Sequence, residues 1–173
     1  MTPASPQHAQ AAPGIQSSNG AGDPTEPRSR LVPYGLLAGA YAATVGAFLW
    51  RFRGRLPEGI SGRDLALIGV ASHKTSRTIA KDKVTAPLRA PFTEHEGEGG
   101  PGELEESPRG IGLQHTVGEL IVCPFCLDQW VATGYVAGLV VAPRATRFVA
   151  AVMATVAISD FLQIAYKVGE EKL

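Results

Sequence analysis

The sequence predicts an all-α fold: a small integral membrane protein with three or four membrane-embedded helices and a disordered N-terminal tail. Three observations carry this expectation. The run PYGLLAGAYAATVGAFLW (residues 33–50) contains no charged side chain. Residues 130–166 are almost continuously apolar. The first 30 residues are Ala-, Pro-, Gly-, Ser-, Gln- and Thr-rich and hold no apolar cluster. The mean hydropathy is close to neutral only because these opposites cancel. A chain segregated in this way suits lipid as its solvent.

The 173 residues suffice for one domain plus tails. Formal net charge is zero, so no basic excess points to nucleic acid, and none is expected as a partner. Two cysteines cannot build a disulfide framework for a chain of this size. The tail, residues 1–30, lacks the positive start and directly following apolar core of a signal peptide. Its composition cannot bury enough surface to offset the entropy of ordering, so it is expected to be disordered.

Residues 31–52 are expected to form the first transmembrane helix. The uncharged run is about 27 Å long as a helix, close to the roughly 30 Å of a lipid core. Pro33 suits a first turn, where its missing N–H costs nothing. Tyr34 and Trp50 bracket the run like interfacial anchors. Gly35, Gly39, Ala42, Ala43 and Gly46 leave a smooth face for another helix. Arg51, Arg53 and Arg55 follow at once.

A second helix is expected over residues 62–82, because Ser61 with Asp64 has the spacing of a capping box. Its first half carries Leu65, Leu67, Ile68 and Val70; its second carries His73, Lys74, Arg77, Lys81 and Asp82. Near a span's centre Lys74 and Arg77 would each cost about 2.5–3.5 kcal/mol, while each aliphatic returns only about 0.3–0.6. Such a helix either lies at the interface or crosses sheltered by partners. The following TAPLRAPF is broken by prolines and reads as extended. Residues 92–112, with six glutamates among glycines and prolines, read as a solvated acidic loop.

Apolar character resumes at VGELIVCPFCLDQWVATGYVAGLVVA (117–142). From Trp130 to Ala142 it is only about 20 Å long, too short to cross by itself. A span there must take in CPFC, so it reads as a broken helix entering the membrane at Pro124. ATRFVAAVMATVAISDFLQIAY (145–166) is long enough to span and carries Asp160. The brief APR connection forces these two into an antiparallel hairpin, 117–166.

Basic residues bear on topology. If four segments cross, Lys and Arg split six against eight. If residues 64–82 do not cross, the split becomes twelve against four. The second arrangement obeys the positive-inside rule. The expectation is therefore a multi-pass cell-membrane protein with three crossings, the N-terminal tail outside, and the polar middle region and C-terminus cytoplasmic.

Two motifs, HKTSRTIAKDKVTAPLRAPF and GELIVCPFCLDQWVA, make a family resemblance specific. Residues 63–166 resemble the bacterial family catalogued as domain of unknown function 1360. The tail and first helix lie outside the likeness. The resemblance implies a small integral membrane protein of unassigned function, in a family with some members named for sporulation. It brings no catalytic residues with it.

Two constellations could carry chemistry. The first is Cys123-Pro124-Phe125-Cys126, placed before a helix expected to begin near Leu127. A helix N-terminus can stabilise a thiolate, which suits a redox dithiol. No thioredoxin-like βαβ pattern surrounds it. The same pair is half of a tetrahedral zinc site, whose other ligands would be His73, His115 or the cysteines of a second chain. A symmetric homodimer would supply a shared four-cysteine zinc. The third alternative is packing alone. The second constellation is His73, Lys74, Arg77, Lys81 and Asp82, continuing to Arg89. His73, Arg77 and Lys81 share one helix face. Glu119 and Asp160 stand in apolar surroundings and are candidate counter-charges. They could close a buried ion-pair network with His73 and Arg77, or the basic face could hold anionic lipid headgroups. No nucleophile–base motif, phosphate loop or zinc-protease signature occurs. Enzyme activity is thus the lesser expectation. The leading one is a structural or interaction module holding a partner, lipid or second copy of itself, with CPFC as a structural or metal-linked turn. The alternative is a membrane thiol–disulfide protein.

Overall fold

The computed structural model describes residues 26–171, with side chains from residue 31. The elements in order are α1 (Glu26–Phe52), α2 (Gly62–Lys81), a 3-10 turn (Lys83–Thr85) and α3 (Ala86–Arg89). Then come β1 (Thr93–Glu98), β2 (Leu104–Pro108), α4 (Leu113–Val122), α5 (Pro124–Val141) and α6 (Pro143–Glu170). The fold is mostly helical, but a two-stranded antiparallel sheet corrects the all-α expectation.

Up to residue 25 the expected disordered tail falls outside the described residues. Its last residues, 26–30, are helical and open α1, so Pro33 sits inside the helix and not in its first turn. Among the described residues two stretches are long and apolar enough to cross a membrane, Leu31–Phe52 and Pro143–Glu170. The pair α4 and α5 is apolar enough to count as a third if taken together, but is bent by 83° at its break.

Three contacts fix the direction of α1. The Tyr34 hydroxyl donates to the Glu119 carboxylate at 2.5 Å. Further along, Tyr41 hydrogen-bonds Thr133 at 2.7 Å and meets the Trp130 ring edge-on at 5.0 Å. Rising numbers on α1 thus face rising numbers along the α4–α5 pair, and α1 runs in the same general sense as α5. α6 returns after a one-residue link at Ala142, so tightly that a Cβ on Gly138 would fall 2.6 Å from the Thr146 hydroxyl. α2 runs with α6: Asp64 meets Arg147, and ten residues on Lys74 meets Asp160 at 3.0 Å.

α2 is the centre of the bundle. Ser61 caps it by accepting the Asp64 N–H, as its spacing predicts. It buries a face of small and polar residues, Asp64, Ile68, Ala71, Ser72, Ser76 and Ala80. Ile68 and Ala71 pack with Tyr135 and Ala150, and Leu67, Val131 and Met153 close around them. α6 contributes Ala150, Ala154 and Ala157. Large side chains point the other way: Leu31, Leu36, Trp50, Phe148, Phe161, Leu162 and Ile164 are all exposed. Small groups inside and large apolar groups outside invert the pattern of a water-soluble globule.

Residues 92–112 are mainly a hairpin and not a solvated loop. β1 pairs with β2 through a register that slips between His95 and Gly97. The turn is closed by Glu103 N–H to Gly100 O at 2.9 Å, with Pro101 and Gly102 at its centre. Gly102 has φ +80°, a conformation that L side chains rarely adopt. TAPLRAPF is likewise not extended: Pro87 is tolerated in the first turn of α3, and the segment coils tightly after α2. The hairpin rests on α4 at Gly118, where a Cβ would come 2.5 Å from the Phe92 carbonyl oxygen and 3.1 Å from Pro108.

Candidate functional site

The cations of α2 and its extension are spaced to meet the hairpin. Arg77 and Lys81 lie one turn apart on one helical face. Glu103 and Glu105 lie two apart and so share one face of the strand region. Arg77 forms a bidentate pair with Glu103 at 2.7 and 2.9 Å, and Lys81 meets Glu105 at 2.9 Å. Lys83 pairs with Glu98, and Arg109 with Glu94 at 3.5 Å. The hydrogen bond from Lys83 holds the Glu98 carboxyl below the usual glutamate range, and the one from Lys81 does the same for Glu105.

Arg89 is the buried member, only 1% exposed, and its partner Glu106 is 6% exposed. Its Nε donates to Glu106, and its Nη1 donates to the carbonyls of Ile79 at 2.8 Å and Asp82 at 3.1 Å. Arg89 thereby satisfies the orphan carbonyls at the end of α2 and ties α3 and the hairpin to it. Its Nη2 is buried without a partner, as are Ser72 Oγ and one carboxylate oxygen of Asp128.

The other ionisable candidates are not brought into one network. His73 stacks on Phe161, with centroids 6.3 Å apart. Lys74 lies between Asp160 at 3.0 Å and Asp82 at 3.6 Å. Glu119 faces Tyr34 and, at 3.6 Å, His115, and takes no part with α2. The expected quartet of His73, Arg77, Glu119 and Asp160 is therefore dispersed over four separate contacts. Missing from the sequence reading were Glu98, Glu103, Glu105 and Glu106, and the pair Asp64–Arg147 at 2.8 and 2.9 Å. The legible signal was GGPGE, which has the Pro-Gly centre of a tight turn between two acidic arms.

CPFC forms the bend between α4 and α5. Cys123 is the N-cap of α5, and its Sγ accepts the Cys126 N–H at 3.2 Å. α5 begins at Pro124, three residues before the expected start. The two cysteines are joined as a disulfide. Phe125 between them is 90% exposed. Among the described residues no group of three or more His, Cys, Asp or Glu side chains converges. His73 and His115 thus do not complete a metal set with the cysteines inside one chain. The remaining zinc arrangement is four thiolates from two copies, which requires the disulfide to be reduced.

Residues 67–166 match the family described as protein of unknown function, DUF1360. The chain belongs to this family. The matched region runs from α2 to α6 and so contains the α2–hairpin seam and CPFC, while α1 precedes it. The chain is also similar to a protein named Sporulation protein YjcA from Bacillus subtilis (strain 168). The two are 26% identical over 107 residues, which cover 60% of this chain and 91% of the relative. No solved structure matches it.

Proposed function

We propose that the chain is an integral membrane module of structural kind, which holds lipid, a partner or a second copy of itself. One observation carries this reading. Each ionisable candidate already has a structural partner within the fold, so none of them is presented as an open reactive cluster. Large apolar side chains facing outward and small ones facing inward support a lipid surround. CPFC then acts as a staple that fixes the bend by which α4 leaves the bundle and α5 enters it.

The helix directions favour a fourth crossing over the three counted from basic residues. α1 and α5 point the same way, so the chain between them must return across the same thickness. α2, about 30 Å long, is the element that can do so. Four of its charged residues, Asp64, Lys74, Arg77 and Lys81, are paired within the fold, which lowers the cost of taking them into lipid. On this reading the start of α1, the hairpin and the end of α6 share one side. The disulfide would suit that side being the non-cytoplasmic one.

The test is the double variant Cys123→Ser, Cys126→Ser in detergent. A staple predicts a loss of about 2 kcal/mol, the scale for closing so short a loop, with no zinc in the wild type. About half a zinc per wild-type chain, absent from the variant, would instead support the shared metal site. The exposed Cys126 beside its capping partner favours one further reading, thiol–disulfide exchange with a thiol of another protein. That reading requires the pair to equilibrate readily with a glutathione buffer while the fold stays intact.

A further inference from the structure

Charge is distributed unevenly between the two ends of the bundle. At the hairpin end Arg77, Lys81, Lys83, Arg89 and Arg109 each meet a glutamate of the hairpin. The face once expected to hold anionic headgroups is therefore already neutralised by the protein. At the other end Arg147 pairs with Asp64. There, Arg51, Arg53, Arg55, Arg63 and Arg144 make no ion pair among the described residues. Arg51, Arg53 and Arg55 are all exposed, and Arg51 lies 5.3 Å over the Phe52 ring. Unpaired guanidiniums at the end of a span are suited to phosphate, which they bind through paired N–H donors.

A groove opens beside these arginines. Between Tyr41 and the end of α1, the space separating α1 from α5 is unfilled, with a volume of about 450 Å³. Phe48 and Leu49 of α1, Trp130 and Val140 of α5, and Leu56 and Ile60 of the connecting segment line it. Its walls are almost wholly apolar, and the volume falls within the roughly 300–1,000 Å³ of small-molecule sites. Leu56 follows Arg55 directly in the chain and Leu49 precedes Arg51 by two residues, so the basic cluster adjoins the groove's lining along the chain. Most of this wall is built by residues preceding the matched family region.

We propose that the groove takes an acyl chain of an anionic phospholipid, whose phosphate is held by Arg51, Arg53 and Arg55. The inference rests on the membrane reading above and names the lipid class and its place. Apolar walls alone would accept any acyl chain. The arginines select the charge of the headgroup.

The test uses full-length protein purified in detergent and native mass spectrometry with added phosphatidylglycerol or phosphatidylcholine. Wild type is expected to retain phosphatidylglycerol about tenfold more than phosphatidylcholine, as loss of one charge-assisted contact would give. The variant R51Q/R53Q/R55Q, altered only at exposed side chains, should retain the two lipids equally. Val45→Trp, which fills the groove and leaves the arginines in place, should lower retention of both. Equal retention by wild type, or an unchanged preference in the triple variant, would overturn the proposal. So would protection against heat by inorganic phosphate alone that matches that of the lipid. In those cases a chain that still needs detergent keeps the membrane reading. Recovery of the chain from cells in detergent-free soluble form would remove that reading itself.

Discussion

Arg89 bears the sharpest single-residue expectation. It is a charged group in a buried place, and it is kept there by Glu106 and by two carbonyls at the end of α2. Breaking a buried pair from one side leaves the other charge unpaired, which costs about 3–5 kcal/mol. Arg89→Met should therefore lower stability by that amount in detergent denaturation. Adding Glu106→Gln should cost less than the sum of the two single changes. Additive losses would mean that the two side chains do not support each other. Arg89→Lys is expected to rescue little, because an ammonium cannot reach the carboxylate and both carbonyls from one planar fork. The sequence marked Arg89 as part of a basic surface. Its burial was hidden because its partner lies in a segment that reads as solvated, and nothing local distinguishes Glu106 from its five acidic neighbours.

At the scale of elements, the hairpin is the part of the fold that sequence patterning missed. β1 is TEHEGE, rich in residues that strands disfavour, and an isolated two-stranded hairpin is marginal in water. Its turn chemistry was legible; its docking was not. Glu98, Glu103, Glu105 and Glu106, out of place by strand propensity, each meet a cation of α2 or its extension: Lys83, Arg77, Lys81 and Arg89. This gives the hairpin a pH dependence. Glu98 and Glu105 have folded-state carboxyls held below the usual range by Lys83 and Lys81. The unfolded chain, with glutamates near about 4.3, binds protons first as pH falls. Their stabilisation is thus complete above that value and disappears as pH drops through the lowered folded values. The thermal midpoint should be level near neutrality and fall in acid, and Glu98→Gln with Glu105→Gln should flatten that fall. An equal acid slope in the double variant would assign it to other carboxylates.

For the whole molecule, the decisive quantity is the order in which helices point. A reporter placed in the segment around Glu58 and one placed at Pro101 of the hairpin turn should give opposite signals, and a reporter at the C-terminus should agree with Pro101. Agreement between Glu58 and Pro101 would restore the three-crossing arrangement and leave α2 at the interface. Counting basic residues led toward that arrangement because a count treats each charge as free. Lys74, Arg77 and Lys81 are each matched to a carboxylate by the fold.

The sequence by itself determined two stretches long and apolar enough to span, read as 31–52 and 145–166, the cap at Ser61, the break at CPFC and the family likeness read over 63–166. These are local properties, set by hydropathy over twenty residues or by a motif of a few. Only the tertiary structure decided that Asp64 meets Arg147, that Lys74 meets Asp160, and that α2 runs through the middle of the bundle. Those contacts join residues more than eighty positions apart. Their partners are chosen by which helix faces can approach closely, a matter of small side chains and shape that the identity of a charged residue does not encode.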